Sequence, residues 1–192
     1  MKPLQRRDNK AGRQGSLVLE HRIHTDALQQ HIEKLTVGDR VLLSGAVYTA
    51  RDAAHKRLTQ ALFEGAALPF PLQGAVLYYA GPAKAPDTLP IGACGPTTSG
   101  RMDPYTPALL DRGLLAMIGK GARSPQVIDA MIKNRAVYLC AIGGAGALYA
   151  RCVKSLEVVA YEDLGCESVK RLTVKDFPLT VGIDCNGNTL FV

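Results

Sequence analysis

Apolar and polar residues follow two rhythms along this chain, and the switches between them outline its elements. "RVLLSGAVY" is a β-branched and apolar run interrupted by Gly45, which predicts a strand. Just beyond it Ala53, Ala54, Leu58, Ala61 and Leu62 recur at helical intervals up to Gly65, and Thr49 and Asp52 stand at capping-box spacing. A helix is expected there. "TDALQQHIEKL" carries a short helical pattern, "GAVLYYAGP" and "TLPIGACGP" read as strands, and "GLLAMIGKG" as a short buried strand. "SPQVIDAMIKNR" predicts a helix with Ser124 as N-cap and Pro125 in its first position. "AVYLCAIGG" is read as a strand, "AGALYARCV" as a short helix, and "SLEVVAYEDL" and "FPLTVGIDCNG" as closing strands. Strands alternating with helices predict the α/β class, a mixed sheet with flanking helices. In that architecture small ligands bind on strand-to-helix loops.

Composition adds limits to this picture. A chain of 192 residues, 47% hydrophobic and 21% charged, has the make-up of a single globular domain and not of a disordered segment. Much of the net charge of +6 lies in "MKPLQRRDNKAGRQG", which has no apolar run and so is neither a signal peptide nor an anchor. Residues 1–20 are read as a basic flexible tail and 21–192 as the functional domain. No aromatic residues interleave the basic ones, so a nucleic-acid partner is not expected. No apolar stretch approaches the ~18 residues of a membrane helix, so a soluble, cytoplasmic protein is expected. Five cysteines, Cys94, Cys140, Cys152, Cys166 and Cys185, are widely spaced without a C-x-x-C pair. They suggest buried thiols, not a disulfide framework, a zinc site or an iron–sulfur cluster held by this chain.

Candidate chemistry gathers on three loops. Arg51 lies near the proposed start of one helix, Lys120 and Arg123 just before another, and Arg101 at the end of "GPTTSGR". A cation near a helix N-terminus opposes the macrodipole by roughly 0.3–1 kcal/mol. Together these cations suggest an anion to be bound, with arginine supplying a bidentate fork for a carboxylate or phosphate. In "GPTTSGRMDPYT", Gly95 and Gly100 are expected to permit conformations that a β-carbon obstructs, and Thr97, Thr98 and Ser99 supply hydroxyls. Asp103 is read alternatively as a cap of "DPYTPALLDR". "GGAGA", residues 143–147, lacks the Walker lysine and a complete dinucleotide fingerprint, so close backbone packing is its better account. His55, one turn beyond Arg51, is read as structural or as a hydrogen-bonding group facing the same site.

"VGDRVLLSGAVYTARDAAHKR", "GPTTSGRMDPYT", "GKGARS" and "AIGGAGAL" strongly resemble the C-terminal half of class I fumarases, which in many microbes is a separate beta subunit. The resemblance spans about residues 30–190 and leaves out the basic head. It implies a swivelling β/β/α domain similar to one in aconitase. It also implies reversible hydration of fumarate to (S)-malate, a hydro-lyase reaction of the tricarboxylic acid cycle, at an interface with an alpha subunit. That partner would hold an oxygen-sensitive 4Fe-4S cluster whose open iron acts as Lewis acid; this chain would ligate no metal and be inactive alone. Carried over by motif, Arg51, Arg101 and Lys120 resemble substrate-carboxylate contacts and Thr97 the catalytic base. Asp52 and His55 resemble catalytic supporting residues, and Asp103 a supporting residue on the substrate side.

The L-tartrate dehydratase beta subunit shares the fold and the "GPTTS" loop. Its pattern has cysteines in the Arg-Asp-x-x-His stretch and Met before the loop arginine. Ala50, Ala53, Ala54 and Gly100 here favour fumarase, while Cys140 and Gly146 depart from the commoner residues around "AIGG". The alternatives are therefore a tartrate or related hydroxy-dicarboxylate dehydratase, and a stand-alone anion-binding module.

Overall fold

The computed structural model describes residues 18–191. Most of the expected basic tail lies outside the described residues. Leu19 and Glu20, assigned to the tail by sequence, belong to the fold: Leu19 N–H donates to Asp39 Oδ1 at 3.1 Å, and its carbonyl accepts from Arg40 N–H at 2.8 Å.

In chain order the elements are β1 (Glu20–His24), α1 (Leu28–His31), β2 (Arg40–Thr49), α2 (Asp52–Phe63), β3 (Val76–Tyr78), α3 (Thr106–Leu110), β4 (Ala116–Gly119), α4 (Pro125–Asn134), β5 (Val137–Cys140), α5 (Gly146–Cys152), β6 (Val153–Ala160) and β7 (Val169–Ile183). Strands β2, β3, β4 and β5 pair in parallel in that order. β7 then runs antiparallel to β5 along one stretch and to β2 along another, so the ladder closes on itself. β1 adds in parallel to the start of β2, and β6 antiparallel to β7. The α/β class, the mixed sheet and its flanking helices are those the sequence predicts.

Closure separates two cores. Alternate strand residues, among them Leu43, Val47, Tyr78, Ile118, Leu139, Leu172, Phe177 and Val181, fill the interior of the ring of strands. The opposite faces, with Leu77, Met117, Tyr138 and Ile183, pack against Leu58 of α2, Leu109 and Leu110 of α3 and Val127 and Met131 of α4. Both cores hold tyrosines whose hydroxyls find partners. Tyr78 OH donates to the Cys94 carbonyl at 2.5 Å, and burial pushes its pKa far upward.

Several sequence expectations need correction. "TLPIGACGP" is not a strand. Ile91 and Cys94 are buried in the interior core, but the segment is coil, joined to its surroundings by the isolated Ala80–Pro96 bridge and single hydrogen bonds. Burial without a neighbouring ladder explains the apolar run. Thr49 does not cap α2, because it is still within β2 and its Oγ1 accepts from Lys170 N–H at 3.2 Å. Ser124 takes the N-cap position of α4 as expected but forms no capping bond; Asp103 Oδ2 accepts the Ser124 N–H at 2.6 Å instead. Asp103 is therefore turned toward α4 and does not cap α3. The last strand is longer than read, because "VKRLTVKD" extends it through polar residues that alternate with buried Leu172 and Val174.

Gly45 marks a register shift between β2 and β7, at φ 111°. A β-carbon there would collide with Thr25 Oγ1 and the His24 ring, whereas at Gly65, φ 69°, it would meet open space. Gly65→Ala is expected to cost about 1 kcal/mol of left-handed strain, and Gly45→Ala about 3 kcal/mol because overpacking is added. Urea denaturation of both variants checks this, and equal losses would refute the steric account.

Candidate active site

The four parallel strands end on one rim, and the chemistry-bearing side chains follow from their carboxyl ends, where α/β sheets bind ligands. β2 delivers Arg51 and Asp52, β4 delivers Lys120, and β5 leads to Gly143 and Gly144. β3 leads to Tyr79, whose carbonyl accepts from Thr97 N–H at 2.7 Å.

The "GPTTSGR" loop is fastened from beneath by Ser99. Its N–H donates to the Lys120 carbonyl at 2.9 Å, and Lys120 N–H returns a bond to Ser99 Oγ at 3.1 Å. Ser99 Oγ also lies 2.8 Å from Tyr138 OH, which donates to the Gly121 carbonyl at 3.0 Å. Gly119 must lack a β-carbon, since Ser99 Oγ occupies that space. Gly95 and Gly100 do not serve as expected. Neither has positive φ, and a β-carbon would meet only ordinary contact at Gly95 and open space at Gly100. The loop's steric demand falls on a neighbouring strand, out of reach of a local reading. In "GGAGA", by contrast, close packing holds: a β-carbon on Gly146 would lie 3.0 Å from Gly95 N and 3.3 Å from Cys94 N.

Asp103 anchors the turn that follows. It receives Arg123 Nε–H at 2.7 Å, and Arg123 is 6% exposed. The guanidinium donates to Thr106 Oγ1 at 2.9 Å, and its carbon lies 5.2 Å from the ring centres of both Tyr79 and Tyr138. Arg123, read from sequence as one of the anion-seeking cations, is instead paired inside the protein. Asp103 is likewise committed to Arg123 and Ser124 and does not join the exposed group.

The residues brought together are Thr97, Arg101, Arg51 and Asp52. Arg101 Nη2 donates to Thr97 Oγ1 at 2.5 Å and lies 3.3 Å from Asp52 Oδ2. Arg51 Nη2 is 3.9 Å from the same carboxylate oxygen and 3.1 Å from Glu167 Oε1. Glu167 escaped the sequence reading, because it lies 116 positions from Arg51 in the numbering and no motif surrounds it. The Lys120 side chain passes over Gly143 and has no ion-pair partner among the described residues. The side chains of Arg101 and Asp52 are 48% and 37% exposed. The cluster is thus supported on one side and open on the other, with Asp52 between Arg51 and Arg101, Glu167 on the far side of Arg51, and Lys120 beside Gly143 on the same rim. It can receive an anion bearing carboxylates.

His55 lies behind this cluster, fully buried against the rings of Tyr79 and Tyr105. Nδ1 donates to the Arg51 carbonyl at 2.9 Å, while Nε2 has no partner among the described residues. Burial, reinforced by the charge of Arg123 and opposed by the Arg51 carbonyl, pushes its pKa down to about 4. The ring is neutral near pH 7.

Among the described residues no group of three or more His, Cys, Asp or Glu side chains is placed to hold a metal ion. The cysteines are free, with Cys94 and Cys185 buried and Cys166 exposed. No helix is long and apolar enough to cross a membrane among the described residues.

This rim places a threonine, two arginines and a lysine on strand-to-loop junctions of an α/β domain. Residues 3–192 match the family model described as "Fumarase C-terminus", and the chain belongs to that family. The match includes most of the basic head, which the motifs alone had left outside. The chain is 42% identical to "Fumarate hydratase 1, mitochondrial" of Leishmania major over 84% of its length. It is 41% identical to "Fumarate hydratase class I, anaerobic" of Escherichia coli over 83%. In each case the aligned region spans 30% of the relative. It is also 37% identical to "Putative L(+)-tartrate dehydratase subunit beta" of Methanocaldococcus jannaschii, with 85% of this chain and 87% of that protein covered.

The His55 environment generates a pH dependence. The unfolded chain takes up the imidazole proton near pH 6.5, the folded one only near pH 4. Stability is therefore lost as pH falls through that window, by about 3 kcal/mol in all. Urea midpoints of wild type and His55→Gln between pH 7 and 4 should diverge in slope, with the variant flatter. Parallel profiles would refute the assignment.

Proposed function

We propose that this chain is the beta subunit of a two-subunit class I fumarate hydratase and supplies half of an active site for reversible hydration of fumarate to (S)-malate. The carrying observation is the open cluster of Thr97, Arg101, Arg51 and Asp52 on the rim of the parallel strands. A dicarboxylate needs cations at two places, and Arg51, Arg101 and Lys120 provide them from three loops. The openness of the cluster supports its completion by a second protein surface. The near-full coverage of the tartrate dehydratase subunit beta supports a separate chain of this size. The family resemblance further supports an aconitase-like swivelling domain and a cytoplasmic hydro-lyase of the tricarboxylic acid cycle. The described residues of this chain do not fit a 4Fe-4S cluster, and in this reading the alpha subunit carries it.

Thr97 is the base. In malate dehydration its deprotonated Oγ1 takes the proton from the carbon beside one carboxylate, the C–H electron pair forms the double bond, and the hydroxyl on the neighbouring carbon leaves as hydroxide, which is released as water once protonated. In hydration water supplies that hydroxyl and the Thr97 hydroxyl returns the proton to the other fumarate carbon. A threonine hydroxyl is a weak acid, and the Arg101 guanidinium 2.5 Å away stabilises its deprotonated form. Arg101 and Arg51 bind substrate carboxylates and offset the charge that builds up on the one beside the reacting carbon. Asp52 holds the Arg101 guanidinium in place. His55 and Asp103 act behind the site, one through the Arg51 carbonyl and one through Arg123. Removing residues 1–17 of the basic head is expected to change turnover little. Ala53, Ala54 and Gly100 favour fumarate over tartrate by their departure from the tartrate pattern.

The reading is tested by anaerobic assay of the chain with its reconstituted alpha subunit, each alone as control, on fumarate and on tartrate. Fumarate hydration by the mixture only is expected. Preference for tartrate would move the chain to the sister enzyme, and inactivity on both would favour a binding module. Within the mixture, Arg101→Ala is expected to lower kcat/KM by about 10²-fold, as loss of a charged hydrogen-bonding clamp does. Thr97→Ser should retain far more activity than Thr97→Val. Full activity in Arg101→Ala, or equal activities in the two Thr97 variants, would overturn those roles.

A further inference from the structure

Arg51 is held by chain segments distant in sequence. Glu167 Oε1 lies 3.1 Å from its Nη2, and Glu167 Oε2 accepts the Ala53 N–H at 3.3 Å. The second contact fills the place of the absent capping side chain at the start of α2, where Arg51 itself occupies the N-cap position without a capping bond. On another side stands Gly81. A β-carbon there would lie 3.0 Å from Arg51 Nη1, 3.1 Å from its Cδ and 3.3 Å from the Cys166 carbonyl oxygen. The arginine therefore runs through a slot between the Gly81 backbone and the loop of residues 165–168. Its Nε is buried with no hydrogen-bond partner among the described residues, so its direction rests on the contacts at the guanidinium tip.

That loop is gathered by Lys170, a β7 residue only 8% exposed. Its Nζ lies 2.9 Å from the Gly165 carbonyl, 3.2 Å from that of Cys166, 3.3 Å from that of Ser168 and 2.6 Å from Ser168 Oγ. Ser168 Oγ in turn donates to the Gly165 carbonyl at 2.8 Å. Among the described residues no carboxylate pairs with the ammonium, and burial pulls its pKa below the usual lysine range. Burying a cation against neutral oxygens is costly, and an apolar side chain would fill the space at no such cost. What the ammonium adds is a single shape for residues 165–168, including Gly165 at φ 57° and ψ −115°. Lys170 N–H also reaches Thr49 Oγ1, on the strand that leads into Arg51.

We infer that Glu167 and Lys170 are positioning residues for Arg51: the ammonium gathers the loop carbonyls, the loop presents Glu167, and Glu167 with the Gly81 slot fixes where the guanidinium meets a substrate carboxylate. The inference rests on Arg51 being a carboxylate contact in the proposed reaction. Glu167 and Lys170 touch no substrate, so their loss acts on binding more than on the proton transfer at Thr97.

The test uses the full chain, alone and with the alpha subunit. Glu167→Gln keeps an acceptor for the Ala53 N–H and removes the charge that orients Arg51, at a partly exposed position that does not threaten folding. It is expected to raise KM for fumarate about tenfold with kcat much less changed. In the chain alone it should speed modification of Arg51 by phenylglyoxal, read by peptide mass spectrometry. Lys170→Met should act in the same direction, and Lys170→Gln, which keeps two N–H donors, should recover part of the loss. A purely structural role would lower thermal stability without moving KM or the reactivity of Arg51. If Glu167→Gln leaves both unchanged, the inference is overturned. If the wild-type pair does not hydrate fumarate, the proposed reaction fails instead, and the reactivity of Arg51 still decides whether Glu167 and Lys170 hold it.

Discussion

Arg123 is the constraint on which the rim depends. Its guanidinium is enclosed between Tyr79, which follows β3, and Tyr138 of β5, and it bonds to Asp103 and Thr106 on the segment between β3 and β4. A buried charge is tolerated only when its donors are matched, and breaking such a pair typically costs about 3–5 kcal/mol. Asp103 meets Arg123 Nε–H and Ser124 N–H with separate oxygens, so one carboxylate ties the turn bearing Arg101 to the start of α4. The burial that makes Arg123 expensive also makes it directional. Its partners have no water to exchange for, and the turn has one place to sit.

Above this anchor the exposed cluster inherits its geometry instead of creating it. Ser99 fixes the backbone on one side of Arg101, Asp103 fixes it on the other, and Arg101 then reaches both Thr97 and Asp52. The Arg101 side chain is about half in solvent and the tip of Arg51 partly so, and exposed ion pairs of this kind contribute little to stability, about 0–1 kcal/mol. That weakness suits a binding group. Asp52 can share Arg101 and Arg51 with an incoming carboxylate without the fold giving way, because the fold is held by other charges. The division is between one enclosed arginine, Arg123, that organises and two at the rim, Arg51 and Arg101, whose guanidinium tips can reach an incoming carboxylate.

Much of this was legible in the sequence, and the gaps have physical causes. Periodicity located β2, α2, α4 and the short parallel strands, since each buries a regular face. It misread "TLPIGACGP", where Ile91 and Cys94 are buried by coil packing against the interior core. Motifs brought Thr97, Arg101, Arg51 and Asp52 to one place, and the structure brings them within hydrogen-bond and ion-pair reach of one another. The same motifs could not separate Arg123 from the other cations, because nothing local reveals that Asp103 turns toward it. Glycine was located correctly as a need of the loop and wrongly as to position: the residue that must lack a β-carbon is Gly119, across the ladder from the loop it accommodates.

Glu167 and Lys170 lay beyond any local reading for a related reason, which follows from how the sheet closes. β7 pairs with both β5 and β2, so the chain's last strand is laid against the strand that delivers Arg51. Closure brings residues 165–170 to the start of α2, more than a hundred positions away, and places a carboxylate where the helix has no capping side chain of its own. The helix start and the guanidinium then share one acidic residue, so the vacancy left by a missing cap becomes the means by which a cation is aimed. The ring of strands makes this possible, since β7 closes it between β5 and β2 and so lies against the strand that delivers Arg51. The site therefore belongs to no single motif. It is complete only when the final strand is in place, and each arginine on the rim has its direction set from a different part of the chain.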